Sequence, residues 1–126
     1  MLGADTVVAV GRRVLGKAET EDDARRFLAL LSGRRHRVLT GVALRAPDGH
    51  VGQRLVESIV TFARLDAARI NAYLAAGEWR GKAGAYAIQG HAAAFIRFLS
   101  GSYSNVVGLP LYETAQLLRG LGYRQP

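Results

Sequence analysis

Apolar residues along this chain fall into two rhythms, and the switches between them outline the elements. Thr6-Val7-Val8-Ala9-Val10 is a β-branched run closed by Gly11, and Val14-Leu15 follows before Gly16-Lys17; together they predict a strand and a tight return. Thr20 then stands where a helix cap belongs. Glu21, Asp22 and Asp23 crowd the first turn, where the helix dipole favours negative charge. Ala24, Phe27, Leu28 and Leu31 recur at helical spacing, and Ser32-Gly33 stops the helix. From Arg37 to Leu44 the period returns to two, with Val38, Thr40, Val42 and Leu44 on one face. Pro47-Asp48-Gly49 is a turn signal, and Gln53 to Phe62 forms the matching strand, with Val56, Val60 and Phe62 sharing a parity; the pair predicts a long hairpin. Asp66 caps a second helix, Ala67 to Ala76, whose apolar face carries Ile70, Tyr73 and Leu74 and which stops at Gly77.

Beyond a glycine-rich segment, His91 to Leu99 reads as a third helix with Ala92, Phe95, Ile96 and Leu99 inward. Ser100 to Asn105 reads as a polar loop and Val106 to Leu109 as a short buried run. Pro110 opens the last helix at its first position, and Gly120 and Gly122 end it. No repeat, low-complexity tract or linker divides the chain, so one domain over residues 1–126 is expected, mixed α/β or α+β from its alternation of strands and helices.

Gly77 to Gly90 follows neither rhythm. Four glycines, two cations, an acid, an amide and two aromatics occupy fourteen positions. Two readings fit: a structural loop with a lysine on its surface, or a ligand-facing loop. Glycine lets backbone N–H groups approach an anion, lysine supplies a point charge, and glutamine both donates and accepts.

Composition narrows the function classes. At 126 residues, 49% hydrophobic and 21% charged, the chain is ordinary for a globular protein with a real core. No apolar run nears the roughly 18 residues that span a bilayer, and the start lacks a basic signal-peptide region. Cysteine is absent, which excludes disulfides, thiolate catalysis and cysteine zinc sites and fits a reducing, cytoplasmic setting. The net charge of +7 favours anionic partners. Arg12-Arg13, Arg25-Arg26 and Arg34-Arg35-His36-Arg37 read as solvated surface, since no aromatics interleave with them as in a single-strand binder, and no specific nucleic acid is expected.

The candidate chemistry is sparse. Asp5 precedes the first strand run, where a carboxylate can hold a divalent cation or take a proton from water; as a residue type there it is more often a turn or cap. Lys17 and Lys82 each follow glycine, which suits phosphate contact, although neither fits a P-loop. His36, His50 and His91 lack metal-ligand spacing, and Ser100, Ser102 and Ser104 lack a nucleophile-elbow context. Glu57 is expected to pair with a strand arginine, and Glu78 to lie beside the loop.

Ala4-Asp5-Thr6-Val7-Val8, Gly16-Lys17, Ser32-Gly33, Val38-Leu39-Thr40-Gly41-Val42, the run Lys82 to Gly90 (KAGAYAIQG) and the run Gly101 to Pro110 (GSYSNVVGLP) resemble, in order and over nearly the whole chain, the Maf family of nucleoside triphosphate pyrophosphatases, once described as septum formation inhibitors. The resemblance implies a twisted sheet flanked by helices with a cleft between two lobes. It implies hydrolysis between the α and β phosphates, releasing monophosphate and pyrophosphate, with a divalent cation (Mg²⁺ or Mn²⁺), as a house-cleaning activity in the cytoplasm. The family's proton acceptor maps onto Asp5, with a metal-holding role beside it. Its phosphate-binding lysines map onto Lys17 and Lys82. Thr6 matches a position linked to substrate choice, and Gln89 matches the glutamine that helps read the base in the dTTP/UTP branch. That pair resembles this branch rather than the 7-methyl-GTP branch.

Departures from the pattern carry their own expectations. The SxSPRR-type loop that embraces the phosphates is absent, as are a further acidic residue and a lysine ahead of the Asp5 motif. The chain therefore resembles the C-terminal portion of the family domain, N-terminally truncated, with an exposed sheet edge and weak or no turnover alone. Ala18 replaces the usual proline after Gly16-Lys17, and Gly81 replaces a frequent acidic residue before Lys82. The competing expectation is a catalytically impaired nucleotide-binding or regulatory remnant. The family often forms homodimers, and no residue pattern in this chain specifies one.

Overall fold

The computed structural model describes residues 1–122. Five strands form one antiparallel sheet: β1 (Leu2–Val10), β2 (Arg13–Leu15), β3 (Arg35–Arg45), β4 (Val51–Phe62) and β5 (Ile96–Ser100), in the order β2-β1-β3-β4-β5. The long β3–β4 hairpin is the expected one, and its register sets Val38 against Ser58 and Thr40 against Val56. Helices α1 (Glu21–Leu31) and α2 (Ala67–Ala76) begin at the caps the sequence marks. Thr20 Oγ1 accepts from Asp23 N, and Asp66 Oδ1 accepts from Arg69 N. The chain closes with α3 (Tyr103–Val107) and α4 (Leu111–Gly120).

Strand alternation separates the two faces of the sheet. Val8, Val10, Val38, Val60 and Phe62 point into the main core, which α1, α2 and the Trp79–Phe95 segment complete through Leu28, Leu31, Tyr73, Trp79, Tyr86 and Phe95. On the same face but nearer the far end of β3, Val42 and Leu44 meet Leu117 of α4 in a separate cluster. Between the two clusters lie Thr6 and Thr40. The opposite face stays open, with Leu55 73% and Phe98 63% exposed. β2 pairs only with Val8–Val10, so Leu2 to Val7 has no neighbouring strand on its outer side among the described residues.

Three expectations are corrected. His91–Leu99 is not a helix: a 3-10 turn spans His91–Phe95 and β5 follows. Ile96, Phe98, Leu99 and Ser100 pair with β4, whose edge from Ile59 to Phe62 would otherwise keep unpaired backbone groups. The spacing of Ala92, Phe95, Ile96 and Leu99 is compatible with both conformations over so short a run, and tertiary pairing decides. Second, Tyr103–Val107 is helical, not a loop passing into a buried run; Ser102 caps it by accepting from Asn105 N, and Val107 is 42% exposed. Third, Pro110 is the cap residue of α4 rather than its first helical residue. No helix among the described residues is long and apolar enough to cross a membrane.

Candidate active site

The glycine-rich segment is both core and cleft wall. Trp79, Ala85, Tyr86 and Ile88 are buried, whereas Lys82 and Gln89 are exposed. Its inner side is fixed by aromatic side chains. Trp79 Nε1 donates to Leu74 O (3.0 Å), and Tyr73 Oη donates to Ala85 O (2.9 Å). Tyr86 Oη and His36 Nε2 share a hydrogen bond of 2.6 Å inside a cluster of edge-to-face rings with Phe62. Burial pushes the Tyr73 and Tyr86 hydroxyls up and the His36 imidazole down to about 4, so all three stay neutral near pH 7. At the far end Glu78 accepts from His91 N at 2.8 Å and meets His91 Nδ1 at 2.9 Å, and these bonds hold its carboxyl below the usual range.

The outer side is laced to the return after β2. Gly81 N donates to Ala18 O, Ala18 N to Lys82 O, and Gly84 N to Gly16 O. Lys17 thereby bridges to Ala83 in antiparallel register. Two glycine–lysine pairs, remote in sequence, so come to lie on adjacent strands of backbone. The geometry requires glycine at one position in particular. Gly84 has φ +66°, and a Cβ there would sit 3.0–3.1 Å from the Val8 side chain. Ala85 also holds a positive φ, 73°, the sole such non-glycine residue among those described. Its strain is offset by burial and by the Tyr73 hydrogen bond.

A cleft of about 250 Å³ opens between this lacing, the outer half of β1 and the end of α3. Asp5, Thr6, Lys17, Lys82 and Gln89 all line it, with Tyr86, Val106 and Gly108 completing the wall. The structure therefore brings together all five residues singled out in the sequence. Its volume lies below the usual ligand-pocket range of about 300–1,000 Å³. Neither lysine has a carboxylate partner among the described residues. Asp5 is the one carboxylate in the lining. Alternation sets it on the sheet face opposite Thr6, in register with Gly41, and it lines a second, larger hollow over the open face as well.

Behind the cleft runs a polar network. Thr6 Oγ1 lies 2.9 Å from Thr40 Oγ1, which is 3.3 Å from Asn105 O. Asn105, fully buried, donates through Nδ2 to Val38 O, Val56 O and Ser58 Oγ, and so ties α3 to β3 and β4. Ser58 Oγ in turn donates to Ser102 O. Sequence reasoning misses the supporting roles of Tyr86, Thr40 and Asn105. The one signal available is a threonine interrupting the apolar face Val38–Thr40–Val42.

The model of the family described as "Maf-like protein" matches residues 1–121. The chain belongs to the Maf family. It is 71% identical over 124 residues to a dTTP/UTP pyrophosphatase of Granulibacter bethesdensis, covering 98% of this chain and 58% of that protein. Proteins of the same name from Maricaulis maris (63% over 123 residues, 98% and 59% covered) and Caulobacter vibrioides (64% over 124 residues, 98% and 64%) are also similar. The chain thus spans less than two thirds of the length of these Maf relatives.

Proposed function

We propose that this Maf chain carries the substrate cleft of a nucleoside triphosphate pyrophosphatase acting on dTTP and UTP, releasing the monophosphate and pyrophosphate. The observation that carries the proposal is the convergence of Asp5, Thr6, Lys17, Lys82 and Gln89, from three separate segments, on one cleft. The two lysines, neither with a carboxylate partner among the described residues, supply positive charge for a polyphosphate. Gln89, exposed at the mouth, presents an amide that matches the paired donor and acceptor of a pyrimidine imide. Asp5 accepts the proton of the attacking water.

A divalent cation fits this donor set in one way. No group of three or more acidic or histidine ligands exists among the described residues, so a Mg²⁺ or Mn²⁺ ion would be held by Asp5 together with substrate phosphates. When bound it would neutralise phosphate charge. The activity of the longer relatives is expected to draw on residues outside the matched region too, because this cleft is small and open beside Asp5. A cytoplasmic setting, where nucleoside triphosphates are abundant, belongs to the same reading.

The test is pyrophosphate release from dTTP, UTP and CTP with Mg²⁺, alongside calorimetric binding. Release from dTTP and UTP supports the proposal. Binding without release leaves a nucleotide-binding remnant instead. Absence of both rejects the nucleotide reading.

A further inference from the structure

The polar network behind the cleft sets the direction of one hydrogen bond, and with it what Thr6 offers a ligand. Thr40 is fully buried and its hydroxyl has a single proton. Two oxygens lie within reach, Thr6 Oγ1 at 2.9 Å and Asn105 O at 3.3 Å. A carbonyl can only accept. If Thr40 donates to Asn105 O, the Thr6–Thr40 bond must be made with the Thr6 proton. Both contacts are then satisfied at once, whereas the reverse direction leaves the Asn105 contact as two facing lone-pair oxygens. Thr6 is half-buried and lines the cleft. With its proton turned inward, it shows the cleft only lone pairs.

We propose that Thr40 is a positioning residue that fixes Thr6 as an acceptor and thereby makes the cleft select a ligand edge bearing an N–H donor. This rests on the nucleotide reading above. Lone pairs facing outward repel phosphate oxygens, so Thr6 belongs to the base end of the ligand, with Gln89, while Lys17 and Lys82 serve the phosphate end. An imide N–H, as in uracil or thymine, meets the Thr6 oxygen. The unprotonated ring nitrogen at the same place in cytosine sets lone pair against lone pair.

The experiment measures the affinities of the full chain for the non-hydrolysable α,β-imido analogues of UTP and CTP by calorimetry. Thr40→Val keeps the shape, and Asn105 O retains its bond from Gly108 N (3.0 Å), so the variant frees only the Thr6 hydroxyl to rotate. The wild-type chain is expected to prefer the UTP analogue. Thr40→Val should shrink that preference by about fivefold, the worth of one net hydrogen bond, while Thr40→Ser retains it. Thr6→Val, at a half-buried position, should shrink it equally and does not depend on how Thr40→Val folds. A preference unchanged in either valine variant overturns the inference and leaves the nucleotide reading standing. A wild-type preference for the CTP analogue overturns the assigned polarity. Failure of the wild-type chain to bind either analogue overturns the nucleotide reading and this inference with it.

Discussion

Substituting Gly84 by alanine separates two costs that the structure places at one residue. The first is conformational: Gly84 has φ +66°, and an L-residue held there loses about 1–2 kcal/mol. The second is steric, because the new Cβ would lie 3.0 Å from Val8 Cγ2 and 3.1 Å from both Cγ1 and Cβ. Val8 is 2% exposed and packed within the main core, so it has little room to yield. Overpacking of this kind costs about 1–3 kcal/mol, which brings Gly84→Ala to about 2–5 kcal/mol. Gly81 is the internal control. Its φ is +68°, but a Cβ added there would meet no atom within 4 Å, so Gly81→Ala should lose only the conformational part, about 1–2 kcal/mol. The assay is urea unfolding of both variants, each also in a Val8→Ala background, which removes two of the three close atoms. Gly84→Ala should cost at least about 1 kcal/mol less in that background than in the wild type, and Gly81→Ala should cost the same in both. Equal losses for the two glycine variants, or a Gly84→Ala penalty indifferent to Val8, would refute the claim that close approach to β1 fixes this segment.

Asp5→Asn should lower pyrophosphate release from dTTP by about 10²–10⁴-fold in a Mg²⁺-containing assay; retained turnover would remove Asp5 as proton acceptor. Lys82→Ala and Lys17→Ala should each weaken triphosphate binding by about tenfold or more, and flatten its dependence on salt, in calorimetric titrations; unchanged affinity in both would take the phosphates out of this cleft. His36 supplies a pH prediction. Its folded pKa, lowered by burial from 6.5 to about 4, means that the unfolded chain binds a proton the folded chain refuses as pH falls. Its contribution is therefore fully present above about pH 6.5 and is lost progressively toward pH 4, with about 2 kcal/mol gone between about pH 7.5 and about pH 5. A His36→Gln variant should show a smaller drop in urea stability over that interval, and an equal drop would reject His36 as its source.

Much of the fold is legible in the sequence because short-range rules govern it. Thr20 and Asp66 mark helix starts by local capping, and the alternation Val38–Thr40–Val42–Leu44 states which face of β3 is buried. The His91–Leu99 stretch misleads because its apolar spacing suits a helix while its backbone is claimed by the edge of β4, a partner on the other side of α2 in the chain. The candidate site is legible through the ordered motifs around Asp5, Lys17, Lys82 and Gln89. Its supports are not. Tyr86, Asn105 and Thr40 act through contacts with residues at separations of 50, 67 and 34 positions.

The caps, the hairpin, the alternating faces and the family membership are all written in the order of residues, since each depends on neighbouring positions or on residue identity. That Lys17 and Lys82 share a cleft, that Asp5 reaches it from the opposite face of β1, and that Thr6 is tied through Thr40 to the α3 backbone is visible in the folded chain alone. These relations are made by hydrogen bonds and packing between segments distant in the chain, whose partners no local pattern names.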